Sequence, residues 1–592
     1  MSKFKKMLKF LFVSSIMIIT SACEKQMTLV ENVEFGGVLG TMYERINNSL
    51  FEKGNQYYID AYKKNDDLWN AEPEFAGKYM LICSILGGKY LDQAKDVVNA
   101  CKLAQREDGY LGCLPEGNEL TNFSIWNQTF TILGLVEYYN ATKDLESLSI
   151  AIKSADYIEE KLKDEINKGK RITDSLNGGS QHISCIISFV RLYKATKKIK
   201  YLDFAQEIIL QCENENFKLL TFNDIFDIKS QKGIEMLVVY LGISELANVL
   251  QEENIEGIYS SNELLDAVSR YWDEINSTQI RNTGSATTGE WFVRNGNAPS
   301  QLKTSQAVNE NCVSVGWCEL TSSLFWTNPQ AIYLDALEKT LFNAVLGSAS
   351  TDGSDFAYYQ GNYGRKEFVT SGGMYKCCRM RGINLFACLP SMLYKYDNNN
   401  LIPVIYSQGN FKNDNLEVNC LTNYPQDGLI KYYIKTNNDK QTISLRVPAW
   451  CNNYQLKINN EKKDISPLDG FINCSLKQGE TIIELNFEME FSYKENKIQG
   501  EKYYDFNYGP LLLCHDRSNN TSLKECYFNV NDEIRYIKND WNYWDENNKG
   551  SYYMVQFTSG NLNLVDYASS CRNNPERDMF KVYIKGDIED EE

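Results

Sequence analysis

Histidine is nearly missing from this chain: His182 and His515 are the two in 592 residues. That scarcity all but excludes an imidazole-based zinc site or a Ser-His-Asp triad. Positive charge is short as well. The formal net charge is −17, which argues against nucleic acid and anionic membrane patches as partners. The amino-terminal apolar run, Phe10 to Ile19, is too short to cross a bilayer. Finally, the adjacent pair Cys377-Cys378 has no spacer of the CxxC kind.

That pair is nonetheless the most informative feature present. Neighbouring Cα atoms lie ~3.8 Å apart, below the ~4.4–6.8 Å of a relaxed disulfide. A metal tolerates such a pair more easily, because each sulfur need only reach the ion. With Glu310-Asn311-Cys312, the pair offers three thiolates and a carboxylate, enough to close a tetrahedral zinc site. Spacing alone fits two buried free thiols beside an unrelated Cys312 at least as well, since cysteine often packs as a small hydrophobe. The other cysteines, such as Cys83, Cys185, Cys388 and Cys514, lie singly in apolar stretches and read as free core thiols. The aromatic content (38 Tyr, 9 Trp and 27 Phe) is compatible with sugar stacking.

Lys3, Lys5, Lys6 and Lys9 precede the run Phe10 to Ile19, and Ser21-Ala22 precede Cys23. Residues 1–22 therefore read as a cleaved export signal. The Thr20-Ser21-Ala22-Cys23 junction resembles a bacterial lipoprotein box, with Thr20 where a branched aliphatic residue is usual. A lipid on Cys23 would be the one link to a membrane and would leave the domain itself soluble.

From residue 24 to 397 the pattern is of helical hairpins. Leu133, Leu135, Val136 and Tyr139 recur at helical spacing before a break at Thr142-Lys143-Asp144. Tyr90-Leu91-Asp92, Tyr201-Leu202-Asp203 and Tyr333-Leu334-Asp335 each open a helix after a short polar turn. Such hairpins build either a closed α/α toroid or an open solenoid. After about residue 400 the period becomes two. Ile443, Leu445 and Val447 alternate with polar residues, as do Ile483, Leu485, Phe487, Met489 and Phe491, the mark of antiparallel sheet with one wet face. Residues 398–520 are expected to form a β-sandwich and 521–592 a small further β unit, with an exposed loop over 539–548.

Taken in order, several segments resemble glycoside hydrolase family 127, the β-L-arabinofuranosidase-like proteins, and the related family 146. They are Asp108-Gly109-Tyr110-Leu111-Gly112, Thr283-Gly284-Ser285 with Gly289-Glu290, Glu310-Asn311-Cys312, and Tyr333-Leu334-Asp335 with Leu341-Phe342-Asn343. Cys377-Cys378, Leu445-Arg446-Val447-Pro448-Ala449-Trp450 and Gly509-Pro510-Leu511 follow. The resemblance implies an (α/α)6 barrel followed by C-terminal β-sandwich domains. It implies Zn2+ held by Glu310, Cys312, Cys377 and Cys378, with Cys377 as nucleophile and Glu290 as general acid/base of a retaining exo-glycosidase. The partner would be the terminal sugar of an oligosaccharide or glycan. The family also lines its sugar pocket with histidines. The corresponding helix here reads Asn127-Gln128-Thr129, and no histidine stands near Lys232-Gly233. The expected sugar contacts are His182, after Gly178-Gly179, together with Asp108 and Thr129. Two other readings compete. One is a non-catalytic glycan-binding lipoprotein with structural zinc. The other is a metal-free toroid enzyme, like an unsaturated glucuronyl hydrolase, using Asp108 as acid/base.

Overall fold

The computed structural model describes residues 35–298, 307–366, 368, 376–517, 526–545, 547, 549–572 and 578–586. The expected export signal, residues 1–22, and Cys23 lie outside the described residues.

Among the described residues, twelve long helices alternate between two rings. The inner ring is α2 (Glu72–Leu86), α4 (Ser124–Thr142), α6 (Ile186–Thr196), α8 (Gly233–Glu252), α10 (Asn311–Thr327) and α12 (Lys376–Met392). Each packs on the next, and α12 returns to α2. Outside them, α1 (Gly37–Glu52) covers α12, and α3 (Tyr90–Ala104), α5 (Leu145–Asn167), α7 (Lys200–Asn214), α9 (Ser261–Thr278) and α11 (Ala331–Lys339) cover the inner helix before each. The ring closes, so the hairpins build an (α/α)6 barrel and not an open solenoid.

Burial explains which helix goes where. Helix α4 is buried without interruption from Ser124 to Tyr138, and α8 is long and apolar enough to cross a membrane yet almost wholly covered by protein. Helices apolar all round belong inside. In α9 only Leu264, Ala267, Val268, Tyr271, Trp272 and Ile275 are buried, one stripe at helical spacing. The three Tyr-Leu-Asp repeats all fall on outer helices, α3, α7 and α11. The break at Thr142-Lys143-Asp144 serves two helices: Lys143 closes α4 in the left-handed region, and Asp144 caps α5 by accepting from the Glu146 amide. Helices α2 and α4 touch backbone to backbone, since a Cβ on Gly77 would lie 2.3 Å from the Phe130 carbonyl carbon.

Two sheets follow. Four strands, in the order Phe471–Ser475, Thr442–Arg446, Asn400–Pro403 and Tyr394–Asp397, form one. Six, from Gly409–Lys412 to Glu461–Lys463, form the other. Ile443, Leu445, Ile472, Ile430, Tyr432, Ile483 and Leu485 share a single apolar core, as the alternation requires. The alternation from Ile483 to Phe491 is, however, two strands: one ends at Phe487, and Phe491 opens another in a third sheet. That third sheet also corrects the division expected at residue 520. Leu511–Asp516 pairs with Leu562–Asp566 and with Phe580–Lys581, so chain from both sides of 520 shares one sheet. The loop expected to be exposed contains Trp544, which is buried with the Arg572 guanidinium 3.8 Å from its ring centre. Its polar sequence hides an anchoring indole.

Motifs far apart in sequence meet at the seams. Arg446 pairs with Asp335 and Glu338 of α11, while Glu338 also accepts from the Trp450 indole at 3.1 Å. Asn343 donates to the Pro510 carbonyl at 2.9 Å and accepts from the Leu512 amide at 2.8 Å. These contacts lock the barrel to its β domains.

Candidate active site

The amino ends of four inner helices carry the polar chemistry. Glu74 lies in the first turn of α2, Glu235 in that of α8, Cys312 in that of α10, and Cys377 and Cys378 in that of α12. Helix amino ends carry partial positive charge, which favours thiolates and carboxylates.

The Cys312 and Cys377 sulfurs are 3.2 Å apart, and Cys378 Sγ lies 3.8 Å from Glu310 Oε1. The ligand atoms of Glu310, Cys312 and Cys378 all fall within 4.8 Å of one another. Cys312, Cys378 and Glu310 are buried, whereas Cys377 keeps partial exposure. Glu310 Oε2 is buried with no hydrogen-bond partner. Burial, then the charge of Glu290, pushes the Glu310 carboxyl up to about 8, and burial first of all pushes Cys378 up to about 12. A bare cluster of this kind would stay protonated. An orphaned carboxylate oxygen among thiols is the environment a divalent cation satisfies, so this group can hold a metal. No disulfide joins the described cysteines.

Glu290 projects from the loop before α10, with its backbone in the left-handed region at φ 72°. Lys232 pairs with Oε2, and the Tyr358 hydroxyl donates to Oε1; the Tyr359 hydroxyl lies 3.4 Å from Oε1. Burial opposes the Lys232 charge, but Glu290 outweighs it and the lysine pKa rises. Tyr358 is pushed up by burial, then by Glu310, Cys378 and Cys312. Its phenol therefore remains a donor, set between the sulfur cluster and Glu290. The strained loop is tied down by buried Arg281, which donates to the Gly296 carbonyl at 3.0 Å, Asn309 Oδ1 at 3.0 Å and Thr288 Oγ1 at 2.8 Å.

Each of the three expected sugar contacts has a protein partner. Both ring nitrogens of His182 lie 3.0 Å from backbone carbonyls, Nδ1 from Ile172 and Nε2 from Leu120, so the ring braces two loops. Thr129 is fully buried and its hydroxyl donates back to the Ile125 carbonyl at 2.8 Å, as a helical threonine does when it has no other partner. Asp108 accepts twice from Arg106, at 3.1 and 2.7 Å, in a turn packed on α5.

Sequence reasoning missed four groups. Glu74 and Lys78 stand one turn apart on α2 and touch the Cys377 sulfur, each at 3.2 Å. Glu235 is buried, accepting from Asn177 at 2.6 Å, Gln181 at 2.5 Å and the Ser180 hydroxyl. Arg281 is the fourth. A Glu-x-x-x-Lys spacing on an otherwise buried helix was the one signal available for the first two.

Comparison with known proteins decides the family. The profile of the β-L-arabinofuranosidase GH127 catalytic domain matches residues 86–391, and that of the GH127 middle domain matches 404–489. The chain belongs to glycoside hydrolase family 127. Within that family it is similar to the non-reducing end β-L-arabinofuranosidase of Bifidobacterium longum subsp. longum, 22% identical over 483 residues and 70% of each chain. Two solved GH127 structures share its fold. A β-L-arabinofuranosidase from Geobacillus stearothermophilus T6 superposes with a TM-score of 0.72 at 16% identity, covering 94% of this chain and 100% of its own. A GH127 β-arabinofuranosidase gives 0.74 at 20% identity, covering 94% and 96%.

Proposed function

We propose that this GH127 hydrolase is an exported, zinc-dependent, retaining exo-glycosidase that removes a terminal β-L-arabinofuranose from plant-type glycans. The observation that carries the reading is the exposure pattern of the sulfur cluster. Three members are buried, and Cys377 alone keeps partial exposure. A structural metal site would be closed throughout; a reacting ligand must be reachable.

Glu310, Cys312, Cys377 and Cys378 would hold the zinc. Its charge would keep the sulfurs as thiolates near neutral pH. In the first step the Cys377 sulfur bonds to the anomeric carbon while protonated Glu290 gives its proton to the departing glycosidic oxygen. In the second, Glu290 takes a proton from water, the water oxygen bonds to the same carbon, and the sulfur leaves with its electron pair. Two inversions return the starting anomer. Tyr358, Tyr359 and Lys232 orient the Glu290 carboxyl. The Bifidobacterium relative's activity on non-reducing ends supports chain-end cleavage. Lys3 to Cys23 supports export with a lipid on Cys23, which fatty-acid labelling of wild type but not Cys23→Ser would check.

The test pairs metal content with turnover. The chain from Glu24 onward is assayed for zinc, then for hydrolysis of aryl glycosides led by β-L-arabinofuranoside. One zinc per chain with turnover lost in Cys377→Ser is the expected result. Zinc without turnover on any glycoside would favour the glycan-binding alternative, and full activity in Cys377→Ser would remove the proposed nucleophile.

A further inference from the structure

One charged pair stands inside the sulfur cluster without a part in the mechanism above. Lys78 and Glu74 have side chains only 1% and 4% exposed and pair directly with each other. Lys78 Nζ lies 3.2 Å from Cys377 Sγ, and Glu74 Oε1 lies 3.2 Å from the same sulfur. The Phe130 ring of α4 covers the ammonium, its centre 4.4 Å from Nζ. At the neighbouring Gly77, α2 packs directly on the backbone of α4. Burying an ion pair is costly, and apolar residues of similar volume are often as stable. The pair is therefore poorly explained by stability. Its contact atom belongs to the one cysteine of the cluster that keeps partial exposure.

We propose that Lys78 is a catalytic residue of the second half-reaction, donating a hydrogen bond to the Cys377 sulfur as the sulfur–carbon bond breaks, and that Glu74 is the positioning residue that holds Lys78 there. The inference rests on the thioglycosyl route proposed above. In that step Glu290 takes the water proton, the water oxygen bonds to the anomeric carbon, and the carbon–sulfur electron pair returns to sulfur. Lys78 keeps its protons throughout. The sulfur is neutral before the step and anionic after it, so an N–H donor binds the end of the step better than its beginning. Only such differential binding accelerates a reaction. In the first half-reaction the same contact stabilises the attacking thiolate, that is, the ground state. Loss of Lys78 must therefore slow release of the sugar more than its capture.

Lys78→Met is the direct test, with an aryl β-L-arabinofuranoside as probe. The expected result is a fall in kcat of roughly 10²–10³-fold, the usual cost of one donor to developing charge, with KM falling alongside it. A burst of one aryl alcohol per enzyme should precede the slow phase. Intact-protein mass should show a pentosyl adduct, absent in wild type and absent when Cys377 is also replaced by Ser. Because Lys78→Met leaves Glu74 buried without its partner, the double variant Glu74→Gln/Lys78→Met is prepared in parallel, with zinc content and melting as controls. Wild-type kinetics in a folded variant overturn the proposal. So does a lower kcat with unchanged KM and no adduct. A wild-type enzyme without Cys377-dependent turnover would instead remove the mechanism of the preceding subsection, and this inference with it.

Discussion

Cys312 and Cys377 stand 65 residues apart in the chain, yet their sulfurs meet at 3.2 Å. Glu310 and Cys378 complete the group, and the Glu310 carboxylate keeps one oxygen without a partner. The buried group of Glu310, Cys312 and Cys378 could hold a shared cation. Cys312→Ala should therefore drop zinc from one per chain to a trace and lower Tm by about 5 °C, the order expected when a ligand that binds only the folded state is lost. Elemental analysis and a thermal melt measure both. Retention of stoichiometric zinc would show that Cys312 is not a ligand.

Glu290 is held from three sides, by Lys232, Tyr358 and Tyr359. Glu290→Gln should lower kcat/KM by ~10²–10⁴-fold on glycosides with poor leaving groups. The loss should shrink for aryl glycosides that depart without protonation, so a leaving-group series separates an acid from a mere contact. An equal loss across the series would argue against the acid role.

His182 offers a contrast. Both ring nitrogens lie 3.0 Å from backbone carbonyls, and a neutral imidazole can donate to one of them, so His182→Leu should cost about 1–3 kcal/mol in stability for a buried acceptor left unpaired. Substrate KM should hardly move. A large rise in KM with unchanged melting would return the histidine to the sugar pocket.

Burial raises the Glu235 carboxyl from its ordinary 4.5 to about 7, against the pull of Ser180, Lys232 and the amides. The folded state thus binds this proton more tightly than the unfolded state. Its contribution to stability is complete below about pH 4.5 and is lost as pH rises through 7. Glu235→Gln should flatten the fall of Tm between these two limits. An unchanged slope in the variant would assign the pH dependence to another group.

Arg446 is almost fully buried between Asp335 and Glu338 at the seam of barrel and sandwich. Removing it strands two carboxylates. Arg446→Met should cost ~3–5 kcal/mol and make the seam more open to proteolysis, while isolated zinc binding persists. Wild-type resistance to protease would show that Asn343 and its partners suffice.

Sequence periodicity by itself determined the element types. All-round apolar helices, single-striped helices and period-two strands are set by which faces must leave water, and that is local information. The set Glu310, Cys312, Cys377 and Cys378 was named from the chain only through the family resemblance, because spacing alone fits free core thiols equally well. What the chain could not disclose alone was contact. The ring closure of α12 on α2 brings Glu74 and Lys78 against Cys377, although roughly 300 residues intervene. Side chains that look like pocket residues in sequence, His182, Thr129 and Asp108, found nearer partners in backbone carbonyls and Arg106. The strand from Leu511 to Asp516 chose partners beyond residue 520 because a sheet edge pairs with whatever strand the fold delivers. Hydrogen bonds and ion pairs act over a few ångströms in space. Their partners are therefore decided by tertiary structure, and only the faces that carry them are written along the chain.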